Sequence, residues 1–177
     1  LPDSTGMENI LRGSLFGNLP WKWFSPVVIR DSKASLKEHL GNLGTHYIIL
    51  MGRLLNVHIP FPEYVSLDQA AVVAHWAANV LKTHGQCLIR ANVSMAMRIC
   101  IAAREEGLDL TGVTLMGGGE PPTPAKVAEI IRTGARWVPN YWFTEAGVVG
   151  WGCAKPVDPN DIHIFKDAIA LIQYPHQ

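Results

Sequence analysis

The stretch LMGGGEPPTP, residues 115–124, decides the fold expected for this chain. The apolar residues 113–116 predict a short buried strand, and the three glycines at 117–119 permit a turn that larger residues would forbid. Thr123 is a suitable N-cap and Pro124 a suitable first residue for a following helix. The expected order is strand, glycine turn and helix, with bare backbone at the turn where a ligand can come close.

A second stretch, NYWFTE at residues 140–145, follows this helix. Gly134 is expected to end the helix, and residues 136–140 predict a strand that delivers the second stretch to its carboxyl end. Successive strands of a parallel sheet open on the same edge, where such folds bind their ligands. The two stretches are therefore expected at one edge.

The surrounding sequence extends this pattern. Residues 87–90 predict a strand and residues 94–106 a helix, so the run 86–145 alternates strand and helix. This alternation predicts an α/β fold with a mainly parallel sheet flanked by helices. Two apolar runs, 162–165 and 168–172, predict a C-terminal β-hairpin.

Two helices are predicted before this region. The first begins at Ser32 or Ser35 and runs toward Asn56, with internal glycines that predict a bend or break. The second covers about residues 67–83. The first carries an apolar repeat at steps of three and four residues, made of Leu36, Leu40, Leu43, Tyr47, Leu50 and Leu54. We expect an N-terminal helical and irregular segment over residues 1–58 and an α/β subdomain over 59–177.

The composition of the chain indicates which partners and which cellular location to expect. The chain has 177 residues, 48% of them apolar, and equal numbers of basic and acidic residues at 15 each. Because no basic cluster is present, we expect no nucleic-acid partner. Three cysteines without a close pair favour a reducing, cytoplasmic location. No apolar run approaches the roughly 20 residues of a membrane span, so none is expected.

Two short motifs in these stretches resemble those of a known enzyme family. Gly-Gly-Glu-Pro at 118–121 after one strand, then Tyr-x-x-Thr-Glu at 141–145 after the next, is similar to the adenylate-forming, AMP-binding enzymes. These include acyl-CoA synthetases, phenylacetate-CoA ligases and peptide-synthetase adenylation domains. Each motif alone is weak, and the ordered pair carries the resemblance.

The resemblance implies a role for each residue of the two motifs. The backbone of the glycine turn would lie against adenine, Tyr141 would stack on its other face, and Asn140 would help to read the base. Thr144 would bind the α-phosphate and Glu145 would ligate Mg²⁺, which makes these two the expected catalytic residues. The expected cofactor-binding set is Gly117, Gly118, Gly119, Glu120, Pro121, Asn140, Tyr141, Trp142 and Thr144.

The resemblance also implies a reaction and its reactants. Family members use ATP and Mg²⁺ to convert a carboxylic acid to its adenylate, with release of pyrophosphate. They often pass the acyl group to a thiol such as that of coenzyme A. Magnesium and fixed hydrogen-bond donors offset the repulsion between carboxylate and polyphosphate.

Parts of the family pattern are absent from these 177 residues. We find neither the Ser/Thr/Gly-rich phosphate loop nor the C-terminal domain with its lysine. We therefore expect the chain to be a fragment of a larger ligase, inactive in isolation, whose partners include the missing upstream and C-terminal domains.

Trp142 departs from the family, which has glycine directly after the tyrosine. The ring would either narrow the acyl pocket or point into the core. It favours the main alternative, a non-catalytic nucleotide-binding or interaction module on the same scaffold. A third reading, an unrelated Rossmann-like binder, lacks the Gly-x-Gly-x-x-Gly spacing.

Overall fold

The structure, a computed structural model, describes residues 6–7, 10–11, 13–14, 17, 19–26, 36–143, 145, 147–153, 155–167, 169–170 and 172, except the side chains of 36–39 and 42. These residues form a mixed α/β fold, in which the bounds of four helices and two sheets are defined. The chain divides into two compact units, Leu1–Gln69 and Ala70–Gln177. The predicted division at residues 58 and 59 stays a prediction.

The first unit contains a small parallel sheet and one long helix. Strand β1, Trp23–Ser25, pairs in parallel with strand β2, Pro62–Tyr64. Helix α1 spans Leu36–Leu54. A cluster of apolar side chains forms the buried centre of this unit: Met7, Ile10, Trp23, Ile49 and Ile59. The sequence did not predict this sheet, because both strands are only three residues long.

Helix α1 differs from its prediction because it is continuous, and its apolar repeat faces solvent. The helix continues through Gly41, Gly44 and Gly52, where a bend or break was expected. The described members of its predicted apolar repeat are exposed, whereas Thr45 and Ile49 on the opposite side are buried. The predicted N-caps, Ser32 and Ser35, lie outside the described residues.

The second unit is built on a five-stranded sheet in the order β3-β4-β5-β6-β7. Its strands are β3 Cys87–Arg90, β4 Val113–Gly117, β5 Arg136–Phe143, β6 Gly147–Gly152 and β7 Ile162–Ile164. The first three pair in parallel, which confirms the predicted parallel arrangement. The β5–β6 and β6–β7 pairs are antiparallel, so the sheet is mixed.

Three helices pack along this sheet. They are α2 Ala70–His84, α3 Val93–Glu105 and α4 Pro124–Ile131. Helix α3 contacts both α2 and α4, and the three helices contact β3, β4 and β5 in turn. In β4, Val113 and Leu115 are buried while Thr114 and Met116 are partly exposed, so one face of the strand is covered more fully.

The C-terminal segment differs from the predicted pairing. Strand β7 pairs with β6, and residues 169, 170 and 172 are not in a strand. No hairpin between 162–165 and 168–172 is found in the part of this segment that the structure describes. The glycine-rich residues 147–152, which gave no strand signal, form β6 instead.

Two further features concern the helices and the cysteines. None of the helices in the described part of the chain has the length and apolar character needed to cross a membrane. Cys87, Cys100 and Cys153 are all free thiols.

The glycines of β6 yield a prediction. A Cβ on Gly150 would lie 2.5 Å from the carbonyl oxygen of His163, on the paired strand β7. We expect Gly150→Ala to lower the free energy of unfolding by about 1–3 kcal/mol, because the strands must separate. Urea unfolding followed by circular dichroism measures this change.

Gly41→Ala is the matched control. Among the described atoms, a Cβ at this exposed helical position meets none within 4 Å, so we expect stabilisation by about 0.5–1 kcal/mol. Equal effects of the two substitutions would contradict the steric explanation.

Candidate functional site

Gly117, the last residue of β4, and the two glycines that follow it differ in what surrounds them. A Cβ on Gly117 would lie 1.6 Å from the carbonyl oxygen of Ala91, and one on Gly118 would lie 2.2 Å from that of Asn140. Gly119 has a φ of +82° and open space in the direction of a Cβ. Gly117 and Gly118 therefore allow neighbouring backbone to approach, and Gly119 provides the turn and the open backbone.

Glu120 is held by two elements of the second unit. Its carboxylate accepts hydrogen bonds from the Ser94 backbone N–H at 2.7 Å and from the Ser94 hydroxyl at 2.7 Å. The Lys126 ammonium donates to the same carboxylate at 2.7 Å and to the Ser94 hydroxyl at 3.2 Å. The Glu120 side chain thus links the glycine turn to the first turns of α3 and α4.

This arrangement stabilises the charged form of Glu120. The hydrogen bond from Lys126, then those from Ser94, lower the pKa of Glu120 from its usual 4.5 to about 2. The carboxylate also lies at the N-terminus of α3, where the helix dipole favours negative charge. Its observed role is structural, as a brace between two helix starts, and its predicted contact with a nucleotide stays a prediction.

Both helix starts are also capped from the sequence next to them. The Asn92 side chain accepts from the Met95 N–H at 2.8 Å at the start of α3. The Thr123 hydroxyl accepts from the Lys126 N–H at 3.4 Å, and Pro124 follows it, as the sequence predicted. These caps fix where each helix begins and so position Ser94 and Lys126 for Glu120.

The end of β5 carries the second motif. Gly117 in β4 is in register with Pro139 in β5, so Asn140 and Tyr141 follow the last residue of β5 that pairs with β4. The Asn140 side-chain oxygen is buried and finds no hydrogen-bond partner among the described residues. The Tyr141 side chain is 52% exposed.

Two aromatic neighbours follow on the same strand. The Tyr141 ring lies 5.9 Å from the Phe143 ring, tilted by 48°. Trp142 is half-buried, beside a register irregularity between Tyr141 and Trp142 where β5 pairs with β6. Trp142 is thus neither fully buried in the core nor fully exposed at the edge.

Two further predicted residues, Pro121 and Glu145, lie outside the helices and strands. Pro121 is exposed after the glycines, and Glu145 is exposed in the turn between β5 and β6. Thr144 lies outside the described residues. An exposed carboxylate such as Glu145 suits Mg²⁺, which proteins often hold through one or two carboxylates together with substrate phosphates.

The structure thus brings the glycine turn and Asn140 together at one edge of the sheet. Ser94 and Lys126 complete this edge and were missed from the sequence, because they are 26 and 6 residues from Glu120 in the chain. A usable signal was present: Ser94 follows β3, whose carboxyl end opens on the same edge as those of β4 and β5.

No protein-family model matches this chain, and no characterised protein matches it in sequence.

The Glu120 brace predicts a dependence of stability on pH. The pKa of Glu120 is lower in the folded chain than in the unfolded chain. This carboxylate therefore stabilises the fold at pH values above 4.5, its pKa in the unfolded chain. The contribution is lost as pH falls through about 2. We expect Glu120→Gln to reduce the free energy of unfolding at neutral pH by about 1–2 kcal/mol, discounted for partial exposure, and to flatten its decline between about pH 5 and pH 2.

Urea unfolding at a series of pH values checks this expectation. Glu105→Gln, which removes the same charge at an exposed site on α3, is the control and should follow the unsubstituted chain. Identical pH profiles for the Glu120 variant and the unsubstituted chain would rule out the brace as a source of stability.

Proposed function

We propose that this chain is the nucleotide-facing subdomain of a larger ATP-dependent carboxylic acid ligase, of the adenylate-forming type and located in the cytoplasm. One observation carries the proposal. The glycine turn follows β4, the Asn140-Tyr141 pair follows the part of β5 that pairs in parallel with β4, and Gly118 lies against Asn140. The family resemblance requires these two motifs to share one edge.

The base would be bound at this edge. Tyr141 offers an exposed ring on which a purine can stack, and Gly119 offers backbone without a side chain in the way. Asn140 would supply a polar group for the base. Glu120 acts indirectly here, because its bonds to Ser94 and Lys126 hold the turn in place.

The reacting phosphates would lie toward the turn between β5 and β6. Glu145 would ligate Mg²⁺, whose positive charge offsets the repulsion between the carboxylate substrate and the polyphosphate. Thr144 would donate a hydrogen bond to the α-phosphate. A carboxylate oxygen of the acid attacks the α-phosphorus, and pyrophosphate leaves with the electrons of the broken P–O bond. A thiol such as that of coenzyme A then attacks the acyl carbon and AMP leaves.

Trp142 favours a second candidate function. It is half-buried next to Tyr141, where the family has glycine. A bulky ring beside the base site leaves less room for an acyl group. The second candidate is therefore a module that binds nucleotide without turnover.

Nucleotide binding is tested by titrating AMP into the chain in a calorimeter. We expect Tyr141→Ala to weaken binding by about tenfold to a hundredfold, since stacking of a base on an aromatic ring contributes about 1–3 kcal/mol. Tyr64→Ala is a matched control, because Tyr64 is 50% exposed and lies in the first unit. It should bind like the unsubstituted chain.

Absence of AMP binding, or equal loss in both tyrosine variants, would contradict the proposed site. Exchange of labelled pyrophosphate into ATP, measured on the longest natural form of the protein with aliphatic and aromatic acids, then separates the two candidates. Acid-dependent exchange that is lost in Glu145→Gln supports the ligase. AMP binding without exchange supports the non-catalytic module.

A further inference from the structure

Helix α1 presents an apolar stripe to solvent. Five side chains form it, and we call them the α1 stripe. Their exposed fractions are 60% for Leu40, 67% for Leu43, 63% for Tyr47, 53% for Leu50 and 77% for Leu54. They follow one another at steps of three, four, three and four residues, so they lie along one side of the helix.

The core of the first unit does not use this stripe. The opposite side of α1 supplies Thr45, 6% exposed, and Ile49, which is fully buried. Gly52 lies on that inner side as well, where a Cβ would be 3.2 Å from Ile59. An amphipathic helix normally turns its more apolar side inward. Here the side with four leucines and a tyrosine faces outward.

The stripe is large enough for a protein interface. At these exposures the five side chains present on the order of 500–600 Å², the upper range of apolar patches on monomeric proteins. Met51 and Leu55, 38% and 72% exposed, extend the apolar surface toward the end of the helix. Two copies of the whole surface would bury about 1,200 Å² or more, which reaches the range of specific complexes.

The composition of the stripe favours a second copy over a different, charged partner. Between residues 40 and 52 the helix contains no Asp, Glu, Lys or Arg. Two identical stripes therefore meet without repulsion between like charges, and a charged partner finds no opposite charge to pair with. The alternation of three and four residues is the spacing by which helices interdigitate with one another.

The helix also allows close approach. Gly44 lies between Leu43 and Tyr47, is exposed, and has no atom of the described residues within 4 Å of a Cβ position. A side chain from a facing helix can therefore enter the space beside the stripe. This feature supports helix-on-helix packing more than contact with a flat surface.

We infer that the α1 stripe is the contact surface of a homodimer, in which α1 of one copy packs against α1 of a second copy. This inference is independent of the proposed nucleotide site, which lies in the other unit of the chain.

Sedimentation velocity of the 177-residue chain from low to high micromolar concentration tests the inference. We expect a species of twice 19.5 kDa that dissociates on dilution. Leu43→Lys combined with Leu50→Lys should weaken association at least tenfold, because charge is placed in the middle of the contact. Both positions are exposed, so the circular dichroism of the dilute chain should not change.

The matched control combines Val72→Lys with Ile131→Lys. These residues are 44% and 57% exposed on helices α2 and α4, outside the stripe. The control should dimerise like the unsubstituted chain. If the stripe variant loses helix content, the single substitution Leu54→Lys at the most exposed stripe position replaces it.

Three outcomes would overturn the inference. They are a monomeric chain at every concentration, a stripe variant that dimerises like the unsubstituted chain, and a monomer that binds vesicles of anionic lipid through the same leucines. The last result would assign the stripe to a membrane surface. AMP titration of the stripe variant reports separately on the nucleotide site, so failure of one proposal is distinguishable from failure of the other.

Discussion

The edge of the larger sheet depends on the absence of side chains at Gly117 and Gly118. A Cβ at either position would overlap a backbone oxygen, that of Ala91 on one side or that of Asn140 on the other. Parallel strands stay paired to their ends only if their backbones remain close there. The two glycines thus allow β4 to stay close to β3 and β5 up to its last residue, and the groups around the glycine turn take their positions from that steric condition.

The charged Glu120 side chain then fixes the conformation of the turn, which the glycines alone do not. Without further contacts, the turn after β4 could adopt several conformations, because Gly119 has no side chain to restrict it. The Glu120 carboxylate removes this freedom by binding Ser94 at the start of α3 and Lys126 in the first turn of α4. A glycine turn and a carboxylate brace have complementary effects. One permits an unusual backbone path, and the other selects a single path.

The sequence predicted those elements whose signals are local. Helix α4 follows from Thr123 and Pro124, and the parallel strands follow from short apolar runs separated by helices. The sequence did not predict strand β6, because the glycines that let β6 lie against its neighbours also lower its strand propensity. The Glu120 brace was missed because its partners are close only after the strands align, a non-local condition.

Helix α1 shows a different limit of sequence reasoning. Its period was correctly identified as helical, but a period does not state which side is buried. Packing in the first unit is decided by Ile49 together with Trp23 and Ile59, residues outside the leucine repeat. Because other side chains fill this core, the leucines are not buried in it. Because exposed apolar area is unfavourable in water, the same repeat that predicts the helix also supports the dimer contact inferred for α1.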